Sequence, residues 1–257
     1  DLQRRGFEVQ AVEKFGHDPR YPVSSNWPHL VQELADFAAA HSERKGQGVV
    51  LLGHSLGGYL SLMCAARHPV LGGHPVRGVV MLDSPLLGGW KATALSVAKR
   101  ARLVGSISPG AVSRKRKQTW NSLQEVRAHF QGKKIFATWD PAALEDYVCQ
   151  GTVPVDPQVP EGARMLSFDR QVETAIYNTL PHNLQALLRK HPVRCPAAFI
   201  GGLGSLETRQ VGTELVQAVT HGRIMMLDGS HLFPMERPLA SAAAIEAAVL
   251  NFQTARA

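Results

Sequence analysis

Short apolar runs without polar alternation recur along the 257-residue chain: Val49-Val50-Leu51-Leu52, Val79-Val80-Met81-Leu82, Ala197-Ala198-Phe199-Ile200 and the stretch Arg223–Leu227. Runs of this length read as strands buried on both faces of a sheet. Phe7-Glu8-Val9-Gln10-Ala11-Val12 alternates instead, which predicts a further strand near the start, after a short helix that ends at Gly6. Helical spacing fills the intervals. Ser25 or Asn26 can cap a helix with Pro28 in its first turn, and Leu30, Val31, Leu34, Phe37 and Ala38 form its apolar stripe. A second helix is expected over 56–67, closed by His68-Pro69, and an alanine-rich one over Pro238–Phe252. Strand alternating with helix predicts an α/β fold: a mostly parallel sheet with helices on both faces.

Residues 86–190 break that alternation and read as helices without strong strands between them. Trp90–Val104, Ser122–Phe130 and Pro141–Cys149 carry helical spacing, and Val172–Leu188 does so in parts, interrupted at Pro181. The proline-rich stretch Val153–Pro160 is expected to form a stiff loop over a site. Trp90, Phe136, Trp139 and Tyr177 are candidates for lining a pocket, although packing between this segment and the rest would use the same side chains.

The chemistry begins where the run at 49–52 ends. Gly53-His54-Ser55-Leu56-Gly57-Gly58 places G-x-S-x-G between a buried strand and a helix. Small residues two places either side of the serine allow a bend tight enough to hold Ser55 at its apex. The hydroxyl then stands at a helix N-terminus, where developing negative charge is favoured. A serine hydroxyl is a weak nucleophile at neutral pH and needs a base within hydrogen-bond reach. His231 is the candidate base, on the loop that follows the strand within Arg223–Leu227. It would stand at the carboxyl edge of a parallel sheet, as Ser55 does, and that edge is where sites assemble.

These features resemble the α/β-hydrolase family, in its capped, serine-nucleophile, esterase-like branch. Gly53–Gly58 is similar to the family's nucleophile elbow. Gly229-Ser230-His231-Leu232-Phe233-Pro234 with Glu236-Arg237-Pro238 is similar to its histidine loop, and Phe15-Gly16-His17-Asp18 stands where members often carry a Gly-His-Gly loop. The resemblance implies a core of residues 1–85 and 191–257 with a helical cap inserted over 86–190. It also implies an acid that fixes the imidazole tautomer. Where Gly-x-x-Asp would usually follow the strand after the cap, this chain has Ser205. Asp83, at the end of the run 79–82, is the first choice for the acid, as in a branch that carries it one strand earlier. Glu207 is the alternative. The Leu56 N–H would be one oxyanion donor. The family's second donor lies on a His-Gly segment after a strand that would sit between 7–12 and 49–52. No such strand or segment precedes Asp1, so the chain is expected to be part of a longer protein, with either a gap one strand wide or direct pairing of 7–12 with 49–52.

The function this implies is hydrolysis of a carboxylic ester or related acyl bond on a small-molecule substrate, with neither metal nor organic cofactor. The alternative is a non-catalytic or weakened scaffold that binds a small ligand or a partner protein. Composition changes this picture little. The net charge of +7 is partly local, in Arg114-Lys115-Arg116-Lys117 with Lys99, Arg100 and Arg102 before it. Such a run is ordinarily a solvated face, with weak attraction to anionic surfaces as the next reading. No aromatic–basic interleaving supports nucleic acid. No apolar run approaches the roughly 20 residues needed to span a bilayer. Cys64, Cys149 and Cys195 are odd in number and widely spaced, which predicts reduced thiols and a cytoplasmic location rather than a disulfide or zinc framework.

Overall fold

The computed structural model describes the backbone of residues 1–100 and 110–254; the side chains of Trp90, Ser96, Ala98, Lys99, Arg100, Gln253 and Thr254 lie outside it. Among the described residues nine strands run in chain order: β1 (Val50–His54), β2 (Val70–Leu71), β3 (His74–Pro75), β4 (Gly78–Leu82), β5 (Thr119–Trp120), β6 (Thr152–Pro154), β7 (Arg164–Leu166), β8 (Ala197–Gly202) and β9 (Ile224–Leu227). The central sheet has the order β1-β4-β8-β9. Every pair in it is parallel, with Leu52 opposite Val80, Val80 opposite Ala198 and Ile200 opposite Met225.

β9, expected to be buried on both faces, is instead a half-exposed edge strand, with Met225 at 36% and Met226 at 39% exposure. In β4 and β8 the unbroken apolar runs have a direct cause. Val79 and Met81 enter one core with Leu30, Val31, Leu60 and Leu62, while Val80 and Leu82 enter another with Ile245, Ala248 and Phe252. Helices α1 (Pro28–Lys45) and α2 (Leu56–Arg67) supply the first core, and the helix Pro238–Thr254 covers the opposite face. A strand clad on both sides has no position to spare for a polar residue. The start of α1 is set by Pro28 at its first position, after Trp27 in the left-handed region rather than after a side-chain cap from Ser25 or Asn26.

The expected strand over 7–12 does not form. Phe7–Val12 makes no ladder, and across from it β1 is the edge of the sheet. The two are separated by a groove of about 850 Å³, lined by Phe7, Val9 and Ala11 on one side and Val50 and Leu52 on the other. Of the two arrangements expected, the gap is therefore the one observed. Its physical mark is the exposure of Leu52, at 37%, within a run otherwise suited to burial.

Between β4 and β8 the chain holds short strands as well as helices. Helices are present at Gly89–Arg100, Gly110–Arg114, Leu123–Gln131, Pro141–Gln150, Arg170–Asn178 and Leu184–Lys190. The rest of the helix expected over Trp90–Val104, and Arg102, lie outside the described residues. A small antiparallel sheet, β5-β7-β6, is also present and was not expected. Its strands are two or three residues long, too short for periodicity to register. The proline-rich stretch Val153–Pro160 is thus part strand and part hairpin excursion, closed by Val155 N–H to Ala163 O at 2.8 Å. Arg164, 6% exposed, pins that sheet by donating to the Thr152 hydroxyl and carbonyl and to the Cys149 and Pro160 carbonyls. Ser122 caps Leu123–Gln131 by accepting from Glu125 N–H, and Glu125 reaches back to Asn121 N–H, a reciprocal arrangement that fixes the helix start.

Phe136 and Trp139 pack with Phe130 and Tyr147 in the segment's own aromatic cluster, rings 4.7–5.5 Å apart, and so are structural here rather than pocket lining. Tyr177 is half-buried. In the basic run, Arg116 pairs with Glu173 and Lys117 with Glu125, which leaves Arg114 and Lys115 as its solvated charges. None of the three cysteines forms a disulfide: Cys64 is buried, Cys149 and Cys195 half-buried. Among the described residues no helix is long and apolar enough to cross a membrane.

Candidate active site

β1 delivers the chain to Ser55, whose backbone sits at φ 51°, ψ −114° before α2 begins at Leu56. Two glycines make the crossing possible. A Cβ on Gly53 would stand 2.0 Å from the Gly57 backbone, and one on Gly58 would stand 1.9 Å from Ser84 Oγ. The bend is fastened to the next strand by Ser55 N–H donating to Leu82 O at 2.9 Å. Leu56 opens the helix, so its N–H is among the first-turn donors that lack an intrahelical partner.

β9 leads into the loop carrying His231. Its Nε2 lies 3.1 Å from Ser55 Oγ. The loop is held from below by Glu236, which accepts from Ser230 N–H at 2.8 Å, Ser230 Oγ at 2.6 Å and Thr138 Oγ1 at 3.0 Å. Those donors outweigh its burial and keep its carboxyl below the usual glutamate range. A second tie comes from Asp140 N–H to Met235 O, 2.9 Å, so the segment before Pro141 is anchored to the histidine loop at two points. On the other side His54 Nε2 is 2.8 Å from His231 O, and the two imidazoles lie 4.7 Å apart. With a carbonyl as its partner, Nε2 of His54 carries the proton and donates it. Burial, and then the proximity of His231, push the His54 pKa down to about 4, so it is neutral at pH 7.

β4 ends at Asp83, which is fully buried and also in the left-handed region, at φ 40°. Its Oδ1 is 3.6 Å from His231 Nδ1, a close approach longer than a formed hydrogen bond. Such contacts are often loose in the absence of substrate. Gly202 N–H donates to Oδ2 at 2.8 Å, Ser205 Oγ donates to Oδ1 at 2.9 Å, and Thr208 Oγ1 also donates to Oδ1. Burial alone would raise this carboxyl's pKa. The nearby His231 imidazole, together with the donors from Thr208, Gly202 and Ser205, reverses that effect and leaves it below the usual aspartate value. Gly202 is required by proximity, since a Cβ there would fall 2.2 Å from Ser230 O.

Ser55, His231 and Asp83, expected together, are brought together. Glu207 is exposed in the first turn of the helix Leu206–Val211 and is not the carboxylate at His231 Nδ1. Phe15-Gly16-His17 is engaged elsewhere: Gly16 N–H donates to Glu33, and His17 Nε2 accepts from Asp169 N–H. The contributions of His54, Thr208 and Thr138 were not read from the sequence. His54 stands at a variable position of the G-x-S-x-G pattern, which gives its identity no meaning in sequence. For Thr208 and Thr138 there was no signal, since each acts through a tertiary contact. Among the described residues no group of three or more His, Cys, Asp or Glu side chains is placed to hold a metal ion.

A parallel sheet carrying a serine at a strained strand-to-helix turn, with a histidine and a buried aspartate from later strands at the same edge, defines a class of proteins. The profile of the Alpha/beta hydrolase family matches residues 1–244, and the chain belongs to that family. Solved structures with the same fold include E-2-(acetamidomethylene)succinate hydrolase, 22% identical, with a TM-score of 0.61 over 89% of this chain and 74% of that one. The peroxisomal α/β-hydrolase Lpx1 of Saccharomyces cerevisiae is 14% identical, with a TM-score of 0.62 over 91% and 63% of the two chains. An esterase of M. tuberculosis is 17% identical, with a TM-score of 0.54 over 86% and 69%. At these identities the likeness is one of fold. A curated relative, the nitrogenase iron-molybdenum cofactor biosynthesis protein NifN of Mesorhizobium japonicum, is 27% identical over 157 residues; these are 61% of this chain and 30% of that protein.

Proposed function

We propose that the protein is a serine hydrolase that cleaves a carboxylic ester or a related acyl bond. The observation that carries this reading is the line of three groups: Ser55 Oγ 3.1 Å from His231 Nε2, and His231 Nδ1 3.6 Å from the buried Asp83 carboxylate. In this reading Ser55 Oγ attacks the acyl carbon and its proton passes to His231 Nε2. Asp83 stabilises the imidazolium so formed and fixes its orientation. The tetrahedral oxyanion is received by Leu56 N–H at the head of α2. Collapse breaks the bond to the leaving group, which takes the proton from His231. Water then attacks the acyl-enzyme by the same route in reverse, releasing the acid and restoring the serine hydroxyl. Neutral His54 suits this cycle, because it adds no positive charge beside the imidazolium. The segment 86–190 would act as the cap that shapes the acyl pocket, and the esterase and hydrolase activities named for structural neighbours are compatible with that assignment.

Two substitutions test this. Ser55→Ala should reduce hydrolysis of short p-nitrophenyl esters to background without unfolding the protein. His231→Ala should be nearly as damaging and the double variant little worse, because the two side chains work as a unit. Turnover above about a tenth of wild type in purified Ser55→Ala would remove Ser55 from the mechanism, since loss of a nucleophile ordinarily costs several orders of magnitude.

One observation favours a second reading, a scaffold that binds a ligand without turning it over. His231 Nδ1 is buried and makes no hydrogen bond at its present distance from Asp83. A fluorophosphonate separates the two readings, because it reacts with an activated serine and not with an ordinary one.

A further inference from the structure

We propose that Ser205 and Thr208 are positioning residues that act through Asp83, forming a two-hydroxyl cradle that keeps this carboxylate ionised and aimed at His231. The inference rests on the serine-hydrolase reading and adds to it two groups that touch neither substrate nor the reacting atoms.

The argument starts from the proton inventory of a closed space. Asp83 is fully buried, Ser205 is 1% exposed and Thr208 4%. A carboxylate only accepts, so a hydroxyl within bonding distance of it must donate its single proton there. Both hydroxyls converge on Oδ1, the oxygen that also faces His231 Nδ1, while Gly202 N–H occupies Oδ2. The carboxylate is thus held at both oxygens, which fixes its rotation about the Cβ–Cγ bond. Each charge-assisted bond also offsets the cost of keeping a bare negative charge out of water. Without them Asp83 would be freer to turn and more readily protonated, and in either state it would orient the imidazole less well.

The competing explanation is that these residues merely start a helix. It accounts for part of Ser205, whose Oγ accepts from Thr208 N–H at 3.1 Å and so caps Leu206–Val211. It does not account for the Thr208 hydroxyl, which takes no part in that cap and points to the carboxylate. Thr208 is therefore the position at which positioning and helix capping separate.

The test measures kcat and KM for a p-nitrophenyl ester, together with the rate of fluorophosphonate labelling. The proteins are the wild type, Thr208→Val, Thr208→Ser, Thr208→Ala, Asp83→Asn and the double variant Asp83→Asn/Thr208→Val. Thr208→Val keeps the shape and removes the donor. It should lower kcat and the labelling rate by roughly tenfold to a hundredfold, the range set by one hydrogen bond to a charged group, with KM little changed and the melting temperature lowered by roughly several degrees, because a buried charge loses one donor. Thr208→Ala should do the same if the valine variant packs poorly. Thr208→Ser, which keeps the hydroxyl, should recover the wild-type rate to within about threefold, less than the value of one such bond. In the Asp83→Asn background Thr208→Val should add almost nothing, because the group it acts through is gone. Wild-type rates in both Thr208→Val and Thr208→Ala, with Asp83→Asn inactive, would overturn the cradle and leave the hydrolase reading intact. So would a full additional loss in the double variant. Wild-type rates in Asp83→Asn itself would overturn the cradle together with the assignment of the acid.

Discussion

Ser55 and Asp83 share a backbone signature: φ of 51° and 40°, in the region where side chains other than glycine are strained by about 1–3 kcal/mol each. Neither value is written in local sequence preference. The glycines around Ser55 announce a tight turn, which is why the serine was legible. Nothing around Asp83 distinguishes it from an end-of-strand aspartate, and the choice between it and Glu207 needed the register of β4 against β8. We expect Asp83→Asn to slow ester hydrolysis by roughly 10²–10⁴ through loss of the correct imidazole tautomer. Glu207→Gln, on the exposed side of its helix, should stay close to wild type. Steady-state rates of the two purified variants check this, and the reverse order of severity would transfer the role to Glu207. His54 offers a pH test. Its folded pKa, about 4, lies below the unfolded value near 6.5, so the unfolded chain binds its proton more readily. The stability associated with neutral His54 is complete above about pH 6.5 and is lost as pH falls from there toward about 4. Urea melts should therefore show a shallower fall in stability over that window for His54→Gln than for wild type. Equal slopes would show that His54 is solvated and charges freely.

At the scale of elements, the periodicity that predicted the sheet did so because its inner strands are clad on both faces. β4 and β8 are buried along their whole lengths, and their runs are correspondingly unbroken. The same reasoning failed for Phe7–Val12. Alternation states that a segment would suit a half-buried strand; it does not supply a neighbour to pair with, and here the neighbour is a groove away. β5, β6 and β7 were missed for the opposite reason, since partners exist but the strands are too short to carry a pattern. The open side of β1 has a consequence. An edge with an exposed leucine, facing Val9 at 39% exposure, is a template for association with another chain. We expect Leu52→Lys to reduce concentration-dependent self-association, read by light scattering over a dilution series. Identical scattering for the variant and wild type would mean that this edge does not mediate contact between molecules.

Across the whole molecule, family membership follows from a match over residues 1–244, and the sheet edge explains why so dispersed a set of residues can act together. Ser55, Asp83 and His231 follow three strands of one parallel sheet and so emerge on one side of it, although 176 positions separate the serine from the histidine. That convergence was legible because strand order in parallel sheets is restricted; the hydroxyls and carbonyl that steady it, from Ser205, Thr208, Thr138 and His54's partner, were not, because each depends on a contact between distant elements. The most direct measurement of the central claim is covalent labelling with a fluorophosphonate, followed by mass spectrometry of the peptide that carries the adduct. The account predicts a single stoichiometric adduct on Ser55, formed at a rate that collapses in His231→Ala and absent in Ser55→Ala. An unlabelled wild-type protein, or an adduct that forms equally well without Ser55 or His231, would contradict it.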